Sequence, residues 1–83
     1  MTYYVTMTDK WMSGWGVATG KTSKLVIVCE TSAQAEQIVL AASLRPEMRF
    51  IRTRTTPPRY GAAFVESRKT WADLGPIWTG IAL

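Results

Sequence analysis

The chain has no histidine, one cysteine and only six carboxylates among its 83 residues. Each scarcity removes a class of chemistry. Without histidine the commonest general base, the usual partner of a catalytic serine or cysteine, and the commonest metal ligand are all missing. The few carboxylates are scattered rather than clustered, so no catalytic residue, no metal ligand and no cofactor is expected. Cys29 has no second cysteine to pair with and lies in the most apolar run of the chain, where a thiol serves as a small hydrophobe. No apolar run approaches the roughly 20 residues needed to span a bilayer. The N-terminus also lacks the basic-then-apolar pattern of a secretory signal, so an intracellular protein without a membrane partner is expected.

What the chain does have is unevenly placed. Residues 9–22 hold two of the four tryptophans, Trp11 and Trp15, and three of the six glycines, so large rigid surfaces sit on a freely bending backbone. Such a loop supplies either a binding surface or a plug for the core. Within it, Gly16-Val17-Ala18-Thr19-Gly20-Lys21-Thr22 imitates a phosphate-binding P-loop. That motif needs four residues between its glycines, where this segment has three, and it must lead directly into a helix. Here a strand follows instead, so nucleotide hydrolysis is not expected.

The charge is equally local. The net charge of +4 resides between Arg45 and Arg59, which holds five arginines and one acid, Glu47; elsewhere basic and acidic residues balance. Guanidinium offers a planar fork of donors that fits phosphate oxygens. It fits acidic protein surfaces as well, and a solvated basic strand edge that discourages aggregation is the plain alternative.

At this length one domain, 1–83, is expected, burying about 60–65% of the surface its unfolded chain exposes. Residues 3–7 alternate, with Tyr3, Val5 and Met7 on one side and Tyr4 and Thr6 on the other, as a strand does. Residues 24–30 are continuously apolar between charged ends, the pattern of a central strand buried on both faces. If a helix covers one face, the tryptophan loop is the expected cover for the other. Thr31 with Gln34 makes a helix start, and Ala35, Ile38, Val39 and Ala42 form one apolar stripe that Pro46 ends near Leu44.

Residues 48–55 predict a third strand with Met48, Phe50, Arg52 and Arg54 on one side and Arg49, Ile51, Thr53 and Thr55 on the other. The prolines and glycine of 56–61 break it, and residues 62–66 predict a fourth strand with Phe64 inward. Thr70 is placed to cap a single helical turn through Leu74 before Gly75-Pro76. The tail, with Ile77, Trp78 and 81–83, is apolar enough to pack back on the sheet or to form a homodimer contact. The fold class read from this order, β-loop-β-α-β-β, is α/β (α+β): a two-layer domain with one main helix on a three- to four-stranded sheet.

Tyr3-Tyr4-Val5-Thr6, Thr8-Asp9-Lys10, Met12-Ser13-Gly14-Trp15-Gly16, Gly20-Lys21 and Leu25-Val26 together make a pattern that continues through Gln34-Ala35-Glu36, Arg45 and Glu47-Met48. Over these first 50 or so residues the chain resembles small accessory proteins encoded in bacteriophage and prophage genomes. The resemblance stops before Pro57 and carries over no catalytic or binding residue. It implies a setting, the bacterial cytoplasm, and a protein that works by binding.

Two functions follow. In one, the protein docks on a host protein or protein–nucleic-acid complex, with tryptophan and arginine as anchors, and anti-CRISPR or other anti-defence inhibition is its sharpest form. In the other, it binds single-stranded nucleic acid, with Arg49, Arg52, Arg54 and Arg59 on phosphates and Trp11, Trp15 or Tyr60 stacked on bases.

Overall fold

The computed structural model describes residues 1–11, 13–14 and 20–80. Strand β1 (Tyr3–Asp9) and strand β2 (Thr22–Cys29) are antiparallel, helix α1 (Ser32–Ser43) follows, and strand β3 (Met48–Arg54) returns along the outer side of β1. Strand β4 (Phe64–Thr70) adds to β2 in parallel, giving the sheet order β3-β1-β2-β4. The two strands flanking α1 run parallel to each other, with β1 between them.

The alternation of β1 decides which face is core. Val5 and Met7 are buried with Ile27 and Cys29 of β2, against Ala35, Ile38 and Ala42 of α1. Helix α1 packs over β3, β1 and β2, and its apolar stripe is the one the sequence predicts, with Val39 half-buried at its margin. Thr31 caps it, accepting from the Gln34 N–H at 3.1 Å. The return bond from the Gln34 side chain accepts from the Glu30 N–H at 2.8 Å, one residue earlier than a capping box would have it. Leu44 is the C-cap, as the proline two residues on requires.

The third strand departs from strict alternation. Thr6 faces Arg52 and Thr8 faces Arg49, so β3 carries one residue more than β1 between these pairs. The extra residue makes a β-bulge in which Phe50 adopts φ +55°, a left-handed conformation that costs an L-residue about 1–2 kcal/mol. Met48 and Ile51, three apart, both reach the helix-side core. Arg49 joins Arg52 and Arg54 on the opposite face, not the far side that simple alternation assigns it.

The fourth strand also corrects the sequence reading. It begins two residues later than expected, runs on to Thr70, and has only Val65 half-buried. Phe64 turns away from the helix-side core, its ring centroid 5.7 Å from that of Tyr60. Thr70 then opens a 3-10 turn (Trp71–Asp73), in which Asp73 Oδ2 accepts from the Thr70 N–H at 3.0 Å and from its hydroxyl at 2.8 Å. A short helix α2 (Pro76–Thr79), which the sequence did not reveal, follows and packs on α1. It turns Trp78 towards the core and leaves Ile77 exposed. Residues 81–83 lie outside the described residues.

Candidate nucleic-acid interface

The segment 55–63 must join β3 on one edge of the sheet to β4 on the other. Arg54 lies level with Tyr4 and Val28, whereas Phe64 lies level with Thr22, six residues back along β2. Three strand spacings and six residues of rise make a diagonal of about 25 Å, against a full reach of about 33 Å for the ten steps from Arg54 to Phe64. The segment is therefore a nearly taut strap. Pro57 and Pro58 suit it because their fixed φ keeps the chain extended.

The strap crosses the face opposite α1, for Tyr60 sits against Lys24, whose cross-strand neighbours Thr8 and Glu66 lie on that face. Pro58 is buried beneath it. Val26, which points away from the helix with Thr6, is 0% exposed. The second cover that the apolar β2 demands thus comes from the strap and not from Trp11, which is 74% exposed. Trp15 lies outside the described residues.

Around the strap this face gathers rings and cations. Lys24 Nζ stands 5.9 Å from the centroid of Phe50, 5.8 Å from Tyr60 and 5.5 Å from Phe64, each within cation–π range. It also donates to Thr8 Oγ1 at 2.6 Å. Arg52 and Arg54 line a groove of about 640 Å³ with Lys24, Phe50 and Tyr60. A second groove, of about 600 Å³, lies towards the β1–β2 turn and includes Lys10, Arg49, Phe50 and Phe64. The turn itself is fastened by Ser13, whose hydroxyl donates to Asp9 O at 2.7 Å and accepts from the Ser23 N–H at 2.9 Å. Trp11 follows Lys10 directly, at this same end of the sheet. Arg59 is exposed on the strap.

The structure thus brings Arg49, Arg52, Arg54 and Tyr60 to one face. Sequence reasoning missed Phe50, Lys24 and Phe64 as members of it. A signal for Phe50 was present, since it stands two residues before Arg52 and four before Arg54. Lys24 read only as the charged end of a buried strand.

The remaining chemistry is sparse. Burial pushes the Cys29 thiol pKa upward, away from the reactive thiolate. Among the described residues no cluster of acidic, cysteine or histidine side chains is arranged to hold a metal. None of the described helices is long and apolar enough to cross a membrane. No protein-family model, curated protein or solved structure matches the chain, so no relative lends this face a role.

Proposed function

We propose that the protein binds single-stranded nucleic acid on the strapped face of its sheet, as a binding protein rather than a catalyst. The observation that carries this reading is Phe50, an aromatic ring 73% exposed and held in a strained conformation beside Arg49 and Arg52. Conformational strain at an exposed ring persists only where the surrounding structure enforces it, and such strain clusters at functional sites. Phe50 and Tyr60 offer π-faces to bases, while Arg49, Arg52, Arg54 and Arg59 supply charge for phosphates. The resemblance of the N-terminal half to phage and prophage proteins supports a bacterial cytoplasmic setting.

The test is an anisotropy titration of labelled single-stranded and duplex oligonucleotides at low and moderate salt. With four phosphates engaged, affinity for the single strand falls about 50-fold between about 50 and 200 mM salt, with little dependence on sequence. Absence of binding at low salt overturns the reading.

A second reading, docking on a host protein or complex as an anti-CRISPR or other anti-defence inhibitor, is favoured by different residues. Trp11, Leu40, Leu44 and Ile77 are all exposed apolar side chains. Trp11 has the character of an interface anchor. Binding of that kind is selective for its partner and resists salt. The apolar tail as a homodimer contact belongs to this reading, with Ile77 its exposed described member.

A further inference from the structure

We propose that the groove between the β1–β2 turn and the bulge of β3 is a subsite for the terminal phosphate monoester of a single-stranded nucleic acid, with Lys24 as its central cation. The inference rests on the nucleic-acid reading and specifies which part of the ligand this end of the face takes.

Lys24 is a half-buried ammonium without a carboxylate partner among the described residues. Its cross-strand neighbour Glu66 is instead paired with Arg68 at 3.2 Å. What holds Lys24 is a hydroxyl and three ring faces, which fix the position of the charge without neutralising it. Around it the groove is lined by Lys10 and Arg49 and by the hydroxyls of Thr8 and Thr22, with no acid among the described lining residues. Lys10 and Arg49 make no side-chain hydrogen bond or ion pair among the described residues. The Thr8 oxygen already accepts from Lys24, which leaves its own proton to donate.

Three cations lining one groove exceed what one phosphodiester asks for. An internal phosphate carries one negative charge, whereas a terminal monoester carries about 1.5 to 2 near pH 7 and presents three strong acceptor oxygens. Phe50 lines both grooves, so a base stacked on it places its neighbouring phosphates on either side. One side holds the three-cation subsite. The other leads along Arg52 and Arg54, where the chain continues.

The experiment compares one oligonucleotide sequence in three forms: a 5′-phosphate, a 3′-phosphate, and hydroxyls at both ends. Each is titrated against the wild-type protein, Lys24→Gln and the exposed-site variant Lys10→Gln. One phosphorylated form should bind at least tenfold more tightly than the hydroxyl form, and which one it is identifies the end. Both variants should shrink that ratio. Lys24 also lines the Arg52–Arg54 groove, so Lys24→Gln should weaken the hydroxyl form as well but the preferred phosphorylated form more. The preference should fade below about pH 6 as the monoester loses its second charge. Equal binding of all three forms overturns this inference and leaves the nucleic-acid reading standing. An end preference that neither variant reduces also overturns it. No binding of any form overturns both.

Discussion

Arg45 and Trp78 stack on one another, the guanidinium carbon 5.3 Å from the ring centroid, while Arg45 Nε donates to Glu47 Oε1 at 2.7 Å. This arginine clasps α2 to the turn that follows α1. The pairing separates it from the other arginines of the basic segment, which stand on the far face of the sheet. Arg45→Ala should lower unfolding free energy by about 1 kcal/mol, since one partly exposed ion pair and one cation–π contact are lost. Oligonucleotide affinity and its salt slope should not change, whereas Arg52→Ala with Arg54→Ala should flatten that slope. Urea unfolding and anisotropy on the same samples check both.

Phe50→Gly sets strain against function. Removing the left-handed strain returns about 1–2 kcal/mol, offset by about 0.4–1 kcal/mol for the greater freedom of glycine in the unfolded chain. The ring is mostly exposed, so little burial is lost. Stability should therefore stay within about 1 kcal/mol of wild type, while single-strand affinity falls by the worth of one stacked base, about 1–3 kcal/mol. A large loss of stability would show that the ring is structural.

The strap distinguishes its two prolines. Pro57 is exposed and Pro58 buried. Pro57→Gly should cost only the entropic term, about 0.4–1 kcal/mol, and Pro58→Gly about 1–2 kcal/mol because it also uncovers apolar surface. Chemical denaturation midpoints at constant m-value would separate them.

Acid should act on the C-terminal turn through Asp73. Hydrogen bonds from the Thr70 backbone and hydroxyl, aided by the nearby Lys69 charge, hold its pKa below the ordinary carboxylate value. A depressed folded-state pKa gives stability that is fully present above about pH 4–5 and is lost as pH falls through the folded value. The difference in urea midpoint between wild type and Asp73→Asn should therefore be largest near neutrality and shrink below about pH 4. A gap that widens in acid would reverse the assignment.

The fold was legible where hydrophobic period and local caps agree. The alternation of β1, the apolar stripe of α1 and the stop before Pro46 all follow from short-range rules, and each is found. The β3 face was not legible, because one extra residue in a strand shifts every side chain beyond it and no composition marks which residue bulges. That is why Arg49 was assigned away from Arg52 and Arg54. The strap's share in covering β2 was not legible, because its path depends on β3 and β4 lying at opposite edges, a long-range fact. Lys24 escaped notice for the same reason: its three rings come from β3, the strap and β4.

Strand β4, with six of its seven residues exposed, depends mainly on its hydrogen bonds to β2 and is the natural first unit to open by local fluctuation. When it does, Phe64 departs and takes one wall of the Lys24 enclosure with it. A ligand gripped between Phe50 and Phe64 would fasten one border of the sheet to the other, and by mass action would slow amide exchange along β4.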